Sequence, residues 1–228
     1  QESVNNLPEA TLVINGDCSL TNTLKRENTV TYGVSVPLDQ TSAVRDGTRC
    51  IHCKHQLEYD YFTYAHLGKY RCPGCGYCRE TPNYNVTDIV ETTPDSSTVM
   101  LNDTTPVKIN LGGVYNIYNG IGALAALVSL GIDRETALHA LERFSGAFGR
   151  MEKFGNVRMI LVKNPAGLTQ TCNYISQFKG DKTVIFCLND NAADGRDVSW
   201  IWDADIQADG KIYAAGKRSG DMDLRLKY

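Results

Sequence analysis

Residues 49–53, Arg-Cys-Ile-His-Cys, and residues 72–76, Cys-Pro-Gly-Cys-Gly, each contain a C-x-x-C pair, and eighteen residues separate the two pairs. This spacing is typical of a ribbon in which four thiolates hold one tetrahedral zinc ion. The predicted ligands are Cys50, Cys53, Cys72 and Cys75. Residues 56–70 are predicted to form two short strands that bring the pairs together. Gly76 suits the left-handed backbone that turns amides toward a sulfur.

The residues alone leave other uses of these cysteines open. Two disulfides, or buried thiols without a metal, would account for the same pattern. Cys78 extends the second pair to three evenly spaced cysteines, as in part of an iron–sulfur motif, but this assignment leaves the first pair unused. His52 or His55 could replace one sulfur. A closed four-ligand zinc site would contribute on the order of 10 kcal/mol to local folding and would offer no open position for catalysis.

The composition sets broad limits on function. A chain of 228 residues is long enough for one large or two ordinary domains, which do not need a metal for their overall stability. The formal net charge is -3, so bulk charge does not favour a nucleic-acid partner. Zinc ribbons do occur in nucleic-acid machinery, so the motif itself keeps that alternative open.

The sequence shows neither a transmembrane segment nor a signal peptide. The longest apolar run, residues 121–132, is interrupted by Gly122, Ser129 and Gly131 and is shorter than the roughly 20 residues that span a bilayer. Three further thiols are dispersed along the chain, at Cys18, Cys172 and Cys187. Zinc-type cysteines and dispersed thiols favour a reducing cytoplasm. Because the sequence begins with Gln1 and ends within a helical pattern, we expect it to be a fragment.

The order of elements before and after the cysteines indicates an α/β fold. Residues 11–15 and 29–34 are β-branched runs and are predicted to be parallel strands, with a helix bridging Asp17 to Lys25. Beyond the cysteine segment, residues 98–101 and 107–111 are predicted to be antiparallel strands.

Gly112 and Gly113 lead into an apolar helix with Gly131 near its C-terminal cap. The two glycines are not part of a P-loop, because no Gly-Lys-Ser/Thr follows them. Asn116 and Asn119 are three residues apart at the start of the helix, so both amides face one way and are candidates for ligand contact. The alternative is that they cap the helix and bond its free amides.

A second α/β region is predicted in the last third of the chain. Residues 134–144 form the next helix, and residues 145–152 look like a connection between domains, with glycines and no periodicity. The following strands are predicted at 157–162, 183–188 and 211–215, and the helices at 166–178 and 222–228. We therefore expect a first domain at residues 1–145, with the ribbon inserted at 49–80, and a second domain at residues 146–228.

Two charged residues of the second part are functional candidates. Arg150 could bind a phosphate with two hydrogen bonds, although a lone arginine is more often a surface residue. Asp197 closes the acidic loop 189–197, which follows a predicted strand at the position where open α/β sheets bind ligands. The loop is not an EF-hand, because the frame from Asp190 places Ile201 where the bidentate glutamate should be. Local pattern alone favours Asp197 as the N-cap of the next turn.

Several segments resemble, in the same order, the central and C-terminal portions of Mur ligases. These are Asn15-Gly-Asp17, Gly113-Val-Tyr-Asn-Ile-Tyr-Asn119 and Gly149-Arg-Met-Glu152. The inserted four-cysteine ribbon is not a general Mur ligase feature and is similar to the MurT family of ligase-like subunits. Three further segments carry the same resemblance, namely residues 163–167, 194–203 and 218–228. The resemblance covers essentially the whole chain.

The resemblance implies a fold and an activity. The fold would be α/β, with part of a Mur ligase central domain carrying the ribbon and a Rossmann-like C-terminal domain after it. MurT subunits work with a glutaminase subunit, GatD, on lipid II at the inner face of the membrane. Together they amidate the α-carboxylate of D-glutamate in the stem peptide, which gives D-isoglutamine for peptidoglycan. ATP with Mg²⁺ phosphorylates the carboxylate, and ammonia from glutamine then displaces the phosphate.

Motif matches to the family also imply roles for single residues. Asn116 and Asn119 would lie at the adenine, and Arg150 near the ribose or phosphates. Asp197 would orient the histidine of the glutaminase's Cys–His pair across the interface. Residues 160–163, Ile-Leu-Val-Lys, depart from the Asp-Tyr-Ala-His of other Mur ligases, so their nucleotide-contacting aspartate has no counterpart.

The P-loop and the magnesium ligands of the family would lie upstream of Gln1. We therefore expect that these 228 residues alone do not hydrolyse ATP. Two other functions remain compatible with the sequence. One is a zinc-ribbon module in nucleic-acid transactions, and the other is a docking subunit whose catalysis lies in its partner.

Overall fold

The chain divides into two compact units, of which the first ends at Ser145 and the second extends from Gly146 to Tyr228. The computed structural model describes residues 2–38, 48–146, 151–192 and 195–228. No helix in these described ranges is both long and apolar enough to cross a membrane.

Both units contain strands and helices. The strands are β1 (Leu12–Asn15), β2 (Thr29–Val34), β3 (Glu58–Tyr64), β4 (Leu67–Arg71), β5 (Tyr84–Thr92), β6 (Ser97–Leu101), β7 (Thr105–Ile109), β8 (Glu152–Phe154), β9 (Val157–Met159), β10 (Thr183–Cys187) and β11 (Lys211–Ala215). The helices are α1 (Glu2–Asn5), α2 (Val114–Ser129), α3 (Arg134–Arg143), α4 (Pro165–Ser176) and α5 (Ser219–Leu226), with 3₁₀ helices at Thr21–Leu24 and Ser199–Asp203. The predicted α/β class is confirmed.

The first unit is built on a five-stranded sheet in the order β1-β2-β5-β6-β7. The first three strands are parallel and the last two pair antiparallel, as predicted for β1 with β2 and for β6 with β7. The helix predicted from Asp17 to Lys25 is wrong, because this segment contains only the 3₁₀ helix. The Thr21 and Thr23 hydroxyls donate to nearby backbone carbonyls, and such local bonds compete with helix extension.

Helix α2 packs closely on the sheet because its glycines leave room for side chains of the strands. A Cβ on Gly120 would lie 2.8 Å from Ile109, and one on Gly122 would lie 2.9 Å from Tyr32. The helix ends just before Gly131, as predicted, where a φ of 87° closes the last turn. The core beneath the helix contains Val34, Val86, Val99, Leu101, Ile117, Ile121 and Leu124. Full burial of each such side chain contributes roughly 1.5–3 kcal/mol.

The cysteine segment forms the antiparallel hairpin β3–β4, which confirms the two strands predicted between the pairs. The hairpin has a small core of its own, made of Cys50, Leu57, Tyr70 and Cys72. So few buried side chains are not enough to fold a segment of this length, so a metal or the neighbouring sheet must supply the rest.

The second unit has a separate core around the parallel pair β10–β11. Its buried members include Leu168, Cys172, Phe186, Ile201 and Met222. Helix α4 begins after Asn164, whose Oδ1 accepts the N–H of Gly167 at 2.8 Å, and Pro165 occupies the first turn. Sequence signals of this kind explain why the helix was predicted within two residues of its observed ends.

Two elements of the second unit differ from prediction. The strand predicted over residues 157–162 is shorter, because β9 pairs only with the three-residue strand β8 across a turn at Gly155. The C-terminal helix begins at Ser219 rather than at Met222 and ends at Leu226. Serine and glycine are weak helix formers, so the sequence pattern missed the first turn. In the structure a 2.8 Å bond from Arg218 Nε to Asp221 Oδ2 ties that turn.

Candidate functional site

The four predicted cysteine ligands converge on one point. The Sγ atoms of Cys50 and Cys75 are 3.6 Å apart, and those of Cys53 and Cys72 are 3.3 Å apart. All four sulfurs lie within 4.8 Å of one another. Zinc–sulfur bonds of about 2.3 Å in a tetrahedron require sulfur–sulfur distances of roughly 3.8 Å. The thiols are therefore close to the spacing that one zinc ion would impose, and four sulfur donors suit zinc.

Both C-x-x-C pairs adopt the same backbone turn. Lys54 donates its N–H to the Cys50 carbonyl at 2.9 Å, and Gly76 donates to the Cys72 carbonyl at 3.0 Å. Lys54 and Gly76 are both left-handed, with φ values of 64° and 77°. The first pair thus reaches the geometry of the second although it lacks the glycine.

The structure argues against the other uses of the cysteines. All eight cysteines are free thiols, which does not favour the disulfide alternative. The four-sulfur cluster uses both pairs and does not include Cys78, as the iron–sulfur assignment would require. His52 packs edge-on against Tyr77 with ring centroids 4.8 Å apart, and His55 lies 2.5 Å from where a Cβ on Gly74 would stand. Neither histidine belongs to the cluster.

Asn116 and Asn119 lie on one side of α2, as the spacing predicts. Asn119 Nδ2 donates to Asn116 Oδ1 at 3.3 Å, and Asn116 Nδ2 donates to the Gly112 carbonyl at 2.7 Å. They do not cap the helix, because its N-cap is Gly113 and carries no side-chain cap bond. Asn116 is buried and Asn119 is exposed. Asn119 is therefore the member of the pair that a ligand can reach directly.

Arg150 lies outside the described residues, so its role stays a prediction. Asp197 is exposed, and its Oδ1 accepts the Ser199 N–H at 2.8 Å. It is not the N-cap that the local pattern favours, because that position is Val198. Hydrogen bonds from the backbone and side chain of Ser199 lower the pKa of Asp197. The carboxylate is therefore ionised at neutral pH. It belongs to the second unit, whereas the asparagine pair belongs to the first.

A buried polar network that the sequence did not predict joins the ribbon to the sheet and to α2. Arg79, which follows the second cysteine pair, donates its Nε to Asp17 Oδ1 at 2.6 Å. Asp17 Oδ2 accepts the Tyr118 hydroxyl at 2.6 Å and the Val34 N–H at 2.7 Å. Burial raises the pKa of Asp17, whereas Arg79 and these donors oppose the rise. The partners are 62 and 101 residues from Asp17 in sequence, which no local pattern reveals.

Cys18 forms a thiol–imidazole pair with His66 at the tip of the β3–β4 hairpin, where Sγ and Nε2 are 3.6 Å apart. Burial raises the pKa of the thiol. Hydrogen bonds from His66 and from the backbone at Thr21 and Leu20 outweigh this effect and lower the pKa to about 7. Cys18 does not belong to the four-cysteine cluster.

Comparison with known proteins finds ligase relatives across the chain. Residues 161–228 match the family described as MurT ligase C-terminal. The chain is 34% identical over 239 residues to the lipid II isoglutaminyl synthase (glutamine-hydrolyzing) subunit MurT of Streptococcus pneumoniae, over 99% of this chain and 53% of that protein. The MurT subunit of Staphylococcus aureus is 33% identical over 243 residues, which cover 98% of this chain and 55% of that protein. The chain thus spans about half the length of the curated relatives it matches.

A solved structure supports the fold assignment. A pseudomurein peptide ligase type C from Methanothermus fervidus superposes with a TM-score of 0.69 at 26% identity, over 92% of this chain and 46% of that one. This likeness confirms the Mur ligase-type α/β fold that the sequence predicts. The chain is therefore similar to the MurT subunits over about half of their length, and its last part matches the MurT ligase C-terminal family.

Proposed function

We propose that this chain is part of a ligase subunit that amidates the α-carboxylate of D-glutamate in the lipid II stem peptide. Ammonia would come from a glutaminase partner of the GatD type. The observation that carries the proposal is the similarity over nearly the whole chain to subunits named lipid II isoglutaminyl synthase (glutamine-hydrolyzing). The reaction would take place in the cytoplasm, at the inner face of the membrane that holds lipid II.

The chemistry requires activation of the carboxylate, which is a poor electrophile. ATP, with Mg²⁺ on its phosphates, would supply a phosphoryl group that becomes the leaving group when ammonia attacks. In this chain, Asn116 and Asn119 would lie at the adenine, with Asn119 in direct contact and Asn116 holding its amide in place through their hydrogen bond, and Arg150 would lie near the ribose or phosphates. Such contacts raise the reaction rate because they position the nucleotide precisely for phosphoryl transfer.

Asp197 would act toward the glutaminase partner rather than toward ATP. Its carboxylate is exposed and ionised, and the bond to the Ser199 amide fixes its orientation. A carboxylate in this state can accept an N–H from a histidine and hold the ring in the tautomer that activates a cysteine nucleophile. The proposed triad would therefore form only when the two subunits are together.

The metal in the proposal is a structural zinc ion held by the four cysteines. Their donor set and spacing fit zinc, and four protein ligands leave no position for substrate. The zinc would stabilise the β3–β4 hairpin rather than take part in amidation. A nucleic-acid role for the ribbon is not favoured, since the relatives described above are ligases and synthases.

The ligase activity can be tested with the full-length subunit and its glutaminase partner. Incubation with lipid II, ATP and glutamine should convert the stem-peptide glutamate to isoglutamine, as detected by mass spectrometry. Omission of ATP should abolish the product. Failure to form product with both intact subunits would contradict the proposed function.

The role of Asp197 can be tested by Asp197→Asn in the same complex. The asparagine oxygen can still accept the Ser199 N–H, so the turn should keep its shape. Loss of the carboxylate should lower glutamine hydrolysis by about 100-fold or more, as in other triads, while the subunits still associate. Asp203→Asn changes an exposed carboxylate in the 3₁₀ helix that follows Asp197 and should leave the activity unchanged. Full glutaminase activity in Asp197→Asn would instead favour a docking role.

A further inference from the structure

Arg79 is fixed in place by the ribbon. Its backbone N–H donates to the Tyr70 carbonyl of β4 at 3.0 Å, and the adjacent Cys78 bridges to Arg71 of the same strand. Since Cys72 and Cys75 lie between β4 and Arg79, closure of the cysteine site also sets the path of the chain that carries the guanidinium. The side chain of Arg79 is 3% exposed. It is therefore the part of the ribbon that enters the interior of the first unit.

Asp17 receives this guanidinium at the end of β1. Each of its carboxylate oxygens accepts at least one bond, from Arg79 on one side and from Val34 and Tyr118 on the other. The fit is tight, because a Cβ on Gly33 would lie 2.2 Å from Asp17 Oδ1. A buried carboxylate with these partners has one low-energy orientation, since losing a partner would leave a buried charge poorly paired.

Tyr118 connects this carboxylate to the start of α2. Its hydroxyl donates to Asp17 Oδ2 and also contacts the hydroxyl of Thr63, which lies on β3 of the hairpin. Tyr118 is 5% exposed and stands between Asn116 and Asn119 in sequence. The ribbon therefore meets the first turns of α2 by two routes, through Thr63 and through Arg79 with Asp17.

The start of α2 depends on such tertiary contacts because its own sequence stabilises it little. Its N-cap, Gly113, makes no side-chain cap bond, and the first turn contains no acidic residue to interact favourably with the helix dipole. By contrast, α3 begins with Asp133, whose side chain accepts the Thr136 N–H. A helix start without a cap frays unless packing or buried hydrogen bonds hold it.

We propose that Arg79, Asp17 and Tyr118 form a relay through which the metal-bound ribbon holds the asparagine pair of α2 in position for the nucleotide base. Tyr118 is the positioning residue at the end of this relay. The inference rests on the proposed function, because it assigns the asparagine pair to ATP. A closed four-ligand metal site cannot bind a substrate itself, but through this relay the ribbon would still affect nucleotide binding.

The test uses Tyr118→Phe in the full-length subunit with its partner. This variant removes one hydroxyl and keeps the ring that packs in the core. We expect the KM for ATP to rise about tenfold, with kcat and zinc content unchanged, because a buried bond to a carboxylate is lost. Tyr70→Phe is the matched control, since it removes a buried hydroxyl that bonds Asn22 and Tyr77 and not α2. It should leave the KM unchanged.

Removal of zinc with a chelator distinguishes a relay from a local hydrogen bond. In the wild type it should raise the KM for ATP by a factor similar to that of Tyr118→Phe, and in the variant it should have little further effect. Equal effects of zinc removal on both proteins would overturn the relay, as would an unchanged KM in Tyr118→Phe.

Hydrogen exchange of residues 114–119 separates this inference from the proposed function. Exchange of these amides should accelerate in Tyr118→Phe and in the zinc-free wild type, but not in Tyr70→Phe, whether or not ATP binds. Absence of ATP binding by the wild type would contradict the proposed function. Unchanged exchange at the start of α2 would overturn the relay on its own.

Discussion

Lys54 and Gly76 each directly follow the second cysteine of a pair, and the same left-handed backbone costs more free energy at Lys54 than at Gly76. Both are left-handed, with φ values of 64° and 77°. A residue with a Cβ is less stable there than glycine by roughly 1 kcal/mol. The first turn therefore holds its shape against a local strain that the second turn does not have.

Lys54→Gly should raise the free energy of unfolding of the ribbon by about 1 kcal/mol, because glycine removes this strain. Urea titration of the zinc-loaded protein, with zinc release followed by a chromophoric chelator, measures the change. Lys54→Ala keeps the Cβ and removes the rest of the side chain, so it should give no gain. An equal gain in both variants would show that the side chain, rather than the backbone, is responsible.

Cys18 is only 8% exposed, so alkylation requires local opening, and the thiolate fraction sets how its rate depends on pH. Its pKa is lowered to about 7, and the deprotonated fraction rises with pH, so alkylation by iodoacetamide should reach half its maximal rate near that pH. Cys172, whose pKa burial raises to about 11, should stay unmodified under the same conditions and serves as the internal reference. Peptide mass spectrometry measures both residues in one sample.

His66→Gln tests the cause of this reactivity. Loss of the imidazole removes the leading contact that lowers the pKa of Cys18, so the midpoint of the alkylation profile should move to higher pH. An unchanged midpoint would show that the backbone amides alone stabilise the thiolate.

Single site residues can be predicted from the sequence where their role depends on a short, regular spacing along the chain. Convergence of the four cysteines and the same-side placement of Asn116 and Asn119 follow from the periods of a turn and a helix, and the structure shows both arrangements. Asp17, Arg79 and Tyr118 could not be predicted as a group, because hydrogen bonds between distant residues leave no periodic trace. Asp17 appears in the sequence only as the end of a strand-terminating turn.

Strands that contain runs of β-branched residues could be predicted from the sequence, whereas the three-residue strands β8 and β9 could not. The bounds of β2 and β11 agree with prediction, since Thr, Val and Ile favour a pleated, half-buried surface. The β8–β9 hairpin was missed because three-residue strands depend on their partner rather than on composition. The helix expected between β1 and β2 does not form, because threonine hydroxyls donate hydrogen bonds to nearby backbone carbonyls and compete with helix extension.

The β3–β4 hairpin should depend on the metal through the four ligands alone. Cys72→Ser should lower zinc stoichiometry and accelerate hydrogen exchange across residues 49–80, because a missing thiolate opens the closed site. Cys78→Ser is the matched control: Cys78 is exposed and outside the cluster, so zinc content should not change. Loss of zinc from Cys78→Ser, or its absence from the purified wild type, would contradict the assignment.

For the molecule as a whole, the main energetic feature is that each unit has its own core. The first is centred on α2 and the five-stranded sheet, and the second on α4, β10 and β11. Both tryptophans of the chain, Trp200 and Trp202, lie in the 3₁₀ helix of the second unit. Tryptophan fluorescence therefore reports on the second unit, whereas the cysteine cluster belongs to the first.

This distribution predicts that zinc removal leaves the tryptophan signal unchanged. Urea unfolding followed by fluorescence should have the same midpoint with and without zinc, because burial of Ile201 and its neighbours does not involve the ribbon. Hydrogen exchange of residues 49–80 should increase in the same samples. As the converse control, Ile201→Ala should lower the stability of the second unit by about 2–5 kcal/mol through a cavity at a fully buried site, with no loss of zinc. If zinc removal shifted the fluorescence midpoint, the two cores would unfold as one cooperative unit despite their separate packing.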